Sequence, residues 1–184
     1  MRASLIAGVA ALASLVPAGC GGGGGSTGSA STNASAARSS IQLTSSAFTA
    51  GGAIPRAYTC DGRDISLPVR WSGVPSSARE LILVMRDPDA PGGNFIHWAL
   101  AGISPATTAV QAGRAPAGAI EGRNGFGTVG YRGPCPPTGD PAHHYVLTLT
   151  ALGSRARLGA GFSAAEIPTA ALATGTLVGT YARH

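Results

Sequence analysis

Five residues in two short stretches have side chains that could act together. "DPDAPGGNFIHWAL" (87–100) sets Asp87 and Asp89 on either side of Pro88 and puts His97 at the head of the next apolar run. "HHYVLTL" (143–149) opens with His143 and His144. A carboxylate beside an imidazole accepts a hydrogen bond from one ring nitrogen, fixes the tautomer and favours the protonated ring. A protonated His97 or His143 can then donate to an anionic oxygen, which suits a phosphate-like ligand. Read from these residues alone, a structural turn with histidines as polar strand tips fits equally well.

Other chemistries lack their partners. A zinc site built on two histidines and an aspartate would bring H-x-x-x-H or C-x-x-C spacing, and neither occurs. A Walker-type phosphate loop needs a lysine, and all 13 basic residues are arginine. "GGSTG" (24–28) matches the hydrolase pattern G-x-S-x-G, but no strand and helix flank it. We therefore expect no catalytic residue, no metal and no cofactor. The net charge of +5 comes from scattered arginines with no stripe among them, which excludes nucleic acid.

Positioning such a site falls to strands. Charged residues make up only 11% of the chain, and 28 glycines and 13 prolines punctuate it, as in a loop-rich β protein. "RELILVMR" (79–86) is a continuous apolar run, expected of a strand buried on both faces. "NFIHWALAGI" (94–103) alternates weakly. Strict alternation there puts His97 with Phe95 and Ala99, and Trp98 with Ile96 and Leu100. "HYVLTLTAL" (144–152) alternates cleanly, with His143, Tyr145, Leu147 and Leu149 on one face. "LPVRW" (67–71) and "TLVGTYA" (176–182) are further strands. Short strands between Gly/Pro turns predict a mainly β fold, a two-sheet antiparallel sandwich with the histidines at strand ends, rimming a pocket. "SAAE" (163–166) fits a capping box, so a short C-terminal helix is expected through about Ala173, broken near Pro168.

The N-terminus reads as a targeting segment. Residues 1–19 carry Arg2, a 12-residue apolar run from Leu5 to Val16 and Pro17-Ala18-Gly19 before Cys20. The run is too short to span a bilayer and suits a signal peptide. Small residues before a cysteine resemble a bacterial lipoprotein signal, with Cys20 lipidated; a plain secretory signal is the alternative. Residues 20–40 form a Gly/Ser linker with a root-mean-square span of roughly 25 Å. The folded domain is expected over 41–184, lipid-anchored on the extracytoplasmic side of a bacterial cell envelope.

"YTCDGRDISLPVRWSGVP", "DPDAP", "IHWAL", "GRNGFGTVGYRGPCPP" and "HHY", in this order, resemble the phosphatidylethanolamine-binding protein family, most closely its bacterial, Raf kinase inhibitor-like branch. The resemblance implies a two-sheet antiparallel β-sandwich with a small anion-binding cavity at one end and no cofactor. It places the ligand site on Asp87, Asp89, His97, Pro137, His143 and Tyr145. His144 stands where many relatives have arginine, Leu67 replaces a common proline, and the stretch before "LVGTY" is several residues short. The resemblance also brings Cys60 and Cys135 to the same end of the sandwich, which implies a Cys60–Cys135 disulfide after export. Three functions follow as expectations: a membrane-anchored binding module for an anionic small molecule or phospholipid headgroup, a protein-directed inhibitor of a protease or kinase, and a hydrolase using the Asp/His cavity. A protein target and a homodimer stay open.

Overall fold

The computed structural model describes residues 40–184. The expected signal peptide, Cys20 and the expected linker up to residue 39 lie outside the described residues.

In chain order the strands are β1 (Gln42–Thr44), β2 (Val69–Ser72), β3 (Glu80–Asp87), β4 (Phe95–Ile103), β5 (Ala109–Val110), β6 (Ile120–Glu121), β7 (His143–Leu152) and β8 (Ala173–Tyr181). They form two antiparallel sheets, one in the order β1-β2-β5 and one in the order β6-β4-β3-β7-β8. The continuous apolar run is β3, the central strand of the larger sheet, and it needs no alternation because both of its faces are covered. Leu81, Leu83 and Met85 face the smaller sheet and pack with Leu147, Leu149 and Leu100, and with Leu67, Val69 and Trp71 across the sandwich. Ile82 and Val84 face outward into a second cluster with Ala99, Ala101, Leu152 and Phe162. In β7 the alternation holds: Tyr145, Leu147 and Leu149 are fully buried, while Val146, Thr148 and Thr150 are half-buried on the outer face.

Two expectations need correction. The first is the C-terminal helix. The capping box forms, with the Ser163 hydroxyl accepting from the Ala165 amide at 3.2 Å and the Glu166 carboxylate accepting from the Ser163 amide at 2.6 Å. It caps a single 3-10 turn, Ala164–Glu166, and no helix runs on to Ala173. Pro168 has no amide to donate and its ring clashes with the preceding turn. The chain continues without regular structure, and β8 begins at Ala173.

The glycines of "TGTLVGT" belong to that strand's neighbours. A Cβ on Gly179 would lie 2.6 Å from the Phe48 ring, so the strand is tailored to the N-terminal segment packed on it. Ile41 donates to the Thr174 carbonyl at 3.0 Å, and Gly51 and Ile54 donate to Val178 and Thr180 at 2.8 Å. These bonds cover what would be an open sheet edge.

The second correction is the phase of β4. Met85 pairs with Trp98 but Arg86 pairs with Ile96, so His97 is an extra residue, a β-bulge. The bulge keeps Trp98 and Leu100 in the core between the sheets and sends Ile96 and Ala99 to the outer cluster. His97 is thereby separated from Ala99. Its ring lies beside Phe95 and Tyr145, both at 5.2 Å between ring centres.

Candidate functional site

Asp87 is the last residue of β3, and Pro88 keeps it extended where the chain leaves the sheet. Its Oδ1 accepts from the Asp89 amide at 2.9 Å, which closes the turn. Its Oδ2 accepts from Nδ1 of His143, the first residue of β7, at 2.8 Å. The same oxygen lies 4.0 Å from Nε2 of His97. All three side chains are buried.

The tautomers follow from the partners. Nδ1 of His97 is 2.8 Å from the Arg132 carbonyl oxygen. A carbonyl only accepts, so Nδ1 carries the proton and Nε2 of the neutral ring is an acceptor. His143 spends its Nδ1 proton on Asp87, and its Nε2 faces Asp140 Oδ2 at 3.7 Å. Tyr145 lies beneath, fully buried, and its hydroxyl has no hydrogen-bond partner among the described residues.

These groups open into a cavity of about 290 Å³. Asp87, His97 and His143 are its polar wall; Phe95, Phe126, Ala90, Pro91 and the Cys135-Pro136-Pro137 run are its apolar wall. The proline run is fixed from behind. The Cys60–Cys135 disulfide is formed, with Cα atoms 5.4 Å apart. Cys60 also donates its amide to the Pro134 carbonyl at 3.1 Å. Asp61 beside it pairs with Arg183 at 3.0 Å and accepts from the Tyr181 hydroxyl at 2.8 Å, bonds that hold its carboxyl below the ordinary range.

The loop bearing Phe126 is equally tied down. The Asn124 side chain donates to the Thr128 hydroxyl at 2.8 Å and the Gly130 carbonyl at 3.0 Å, and accepts from the Phe126 amide at 3.0 Å. Phe126 meets Phe95 edge-on at 4.8 Å, and the Arg132 guanidinium lies 5.4 Å from the Phe126 ring centre.

Of the residues expected at the site, Asp87, His97, Pro137 and His143 line one cavity. Tyr145 sits under it. Asp89 is directed elsewhere: its Oδ2 accepts from the His144 amide at 2.7 Å and from His144 Nδ1 at 2.8 Å, on the exposed side of the strand. Those two bonds lower the Asp89 pKa, the backbone one most. The effect expected of the carboxylates on His97 is reversed. Desolvation lowers the His97 pKa and outweighs the Arg132 carbonyl and the charge of Asp87, which act the other way. Burial, and then the negative charge of Asp87, raise the Tyr145 hydroxyl above its ordinary value.

Phe95, Phe126 and Asp140 had no role in the sequence reading. Asp140 carried a readable signal, an acid three residues before a strand-opening histidine. Among the described residues no group of three or more His, Cys, Asp or Glu is disposed to hold a metal ion.

The comparisons with known proteins bear on the family and the fold. A sequence model described as Phosphatidylethanolamine-binding protein matches residues 44–182. A UPF0098 protein of Methanothermobacter thermautotrophicus is 41% identical over 152 residues, covering 78% of this chain and 99% of that protein. A Mycobacterium tuberculosis protein named "Putative lipoprotein LppC" is 40% identical over 145 residues, covering 77% of this chain and 72% of that protein. The crystal structure of E. coli YbcL, titled a new member of the mammalian PEBP family, superposes with a TM-score of 0.74 at 29% identity, over 78% of this chain and 99% of YbcL. With its sandwich and these relatives in agreement, the chain belongs to the phosphatidylethanolamine-binding protein family, in its bacterial branch.

Proposed function

We propose that the domain is an extracytoplasmic, lipid-anchored binding module for a phosphate-like anionic group, such as a phospholipid headgroup. One observation carries the reading. Two buried histidines on different strands each commit Nδ1 to a fixed acceptor, keep Nε2 free of a direct hydrogen bond among the described residues, and line a single small cavity. Two imidazoles with fixed tautomers can each receive a proton and donate it to a ligand oxygen. The family name points to the same chemistry, the disulfide suits an oxidising compartment, and the relative named as a lipoprotein supports anchoring through Cys20.

The lining supports binding over catalysis. Nε2 of His143, the place of a general base, faces a carboxylate, and no hydroxyl or free thiol is among the lining residues. Calorimetric titration with O-phosphorylethanolamine should give tighter binding at about pH 6 than at about pH 8, because lower pH adds hydrogens to the ligand phosphate or to the cavity nitrogens, and a hydrogen from either side is what bridges their lone pairs. His97→Ala and His143→Ala should each abolish it. Binding that is unchanged in both variants would overturn the assignment, and turnover in a panel of phosphate and carboxylate esters would replace it with hydrolysis.

A second reading, a protein-directed inhibitor, rests on Phe126 and Val129, which are 44% and 51% exposed on the tied loop at the mouth. Inhibition of a protease panel that Phe126→Ser removes would favour it.

A further inference from the structure

The hydrogen-bond polarity of the cavity carries a consequence for which anion it admits. In the neutral tautomers, Nε2 of His97 faces Asp87 Oδ2 at 4.0 Å, and Nε2 of His143 faces Asp140 Oδ2 at 3.7 Å. Each gap sets an acceptor against an acceptor, at a distance too long for a direct hydrogen bond. An entering oxyanion brings more acceptors. Unless it also brings a hydrogen, it meets lone pairs on the two imidazoles and the charges of Asp87 and, beside His143, Asp140; the Tyr145 hydroxyl beneath is the one unpaired buried side-chain donor among the described residues.

Asp87 cannot yield, because its Oδ1 is held by the Asp89 amide and its Oδ2 by His143. Asp140 is different. It is half-exposed, and among the described residues no side-chain hydrogen bond holds it; its backbone amide alone is tied, to the Pro137 carbonyl at 3.2 Å. The other charged and titratable groups nearby do not neutralise it. His143 is already donated to Asp87, Tyr145 lies on the floor, and Tyr181 and Arg183 are taken by Asp61. The neutral state of His97 that burial favours leaves the cavity without a fixed cation.

We propose that Asp140, which meets the cavity through His143 and is not one of its lining residues, determines its specificity, and that the site accepts an oxyanion that carries its own proton, a protonated phosphate, and rejects a proton-free one of the same shape. The inference rests on the anion-binding reading above. In the bound state the ligand hydroxyl donates into an acceptor gap. Without that hydrogen, ligand and Asp140 face each other as like charges beside a His143 Nε2 that, in the neutral ring, donates to neither.

Inorganic phosphate and sulfate separate the terms, because they match in size and shape and at about pH 6 only phosphate still carries protons. Titrating both into the full-length protein at that single pH holds the histidines constant. The wild type should bind phosphate at least about tenfold more tightly than sulfate, and Asp140→Asn should bring the two within about twofold by admitting sulfate. Asp140→Ala should do the same, and Asp140→Glu should keep the discrimination. Equal affinities in the wild type, or a ratio that Asp140→Asn and Asp140→Ala leave untouched, would overturn the role of Asp140 while leaving the anion site standing. A wild type that binds neither ion would remove the anion-binding reading itself, and this inference with it.

Discussion

Two aspartates separated by one proline each hold a histidine, and the two histidines are neighbours in β7. The pairs Asp87–His143 and Asp89–His144 have the same Nδ1–Oδ2 distance, 2.8 Å. Their surroundings are opposite. The side chains of the first pair are 4% and 6% exposed, those of the second 42% and 56%. The two-residue period of a strand does the sorting, sending His143 inward and His144 outward. In the inner pair both groups have left water, so each depends on the other for its missing solvation. In the outer pair water and salt compete for the same atoms. A bond length alone therefore does not rank the two. The inner pair makes a site, and the outer one clamps the ends of two strands.

The largest effect should come from breaking the inner pair. Asp87→Ala leaves His143 without its acceptor in a buried position and should cost about 3–5 kcal/mol of stability, along with the affinity for O-phosphorylethanolamine. Chemical denaturation and calorimetry measure both. A loss below about 1 kcal/mol would put the inner pair on the same footing as the outer.

Removing the disulfide tests the wall on which only the inner pair opens. It spans 75 residues of sequence, so Cys60→Ser with Cys135→Ser should lower stability by about 4 kcal/mol in the chain-entropy model. Ligand affinity should fall with it, and the chemical shifts of His144 should not move. Movement at His144 would mean that the two pairs are mechanically coupled.

A smaller effect concerns pH. Burial lowers the His97 pKa from its ordinary 6.5, so the unfolded chain takes up a proton that the folded one refuses. Stability should decline as pH falls below about 6.5, with a slope of at most about 1.4 kcal/mol per pH unit for this one proton. His97→Gln should remove that slope between about pH 6.5 and the depressed folded value. A slope that persists in the variant would assign it to another group.

The smallest effect belongs to the outer pair. Asp89→Ala should cost under about 1 kcal/mol, lose that cost in high salt, and leave ligand affinity within about twofold. A loss of binding as large as that of Asp87→Ala would return Asp89 to the cavity.

How far the sequence went follows the same division. The strands and the inward face of β7 were legible because burial imposes a short, regular period on residue types. Asp87, His97, Pro137 and His143 were found together because the motifs that carry them resemble a known family. The exposed turn of Asp89 carries no periodic signal, so its direction away from the cavity was unreadable. The bulge at His97 was hidden for a related reason: an extra residue changes phase without changing composition, and only the pairing of Met85 with Trp98 and Arg86 with Ile96 reveals it. The helix through Ala173 was a local reading that tertiary contacts overruled. The capping box was real, but Pro168 and the docking of residues 41 and 51–54 on β8 claimed the following chain for a sheet.

That docking also sets an order of events. Residues near the start of the described chain hydrogen-bond to its final strand, so the edge of the larger sheet cannot close until β8 has been delivered. Contacts of such long sequence separation slow folding, to milliseconds or seconds in proteins dominated by them. A chain that emerges N-terminus first therefore stays open until its last segment is free.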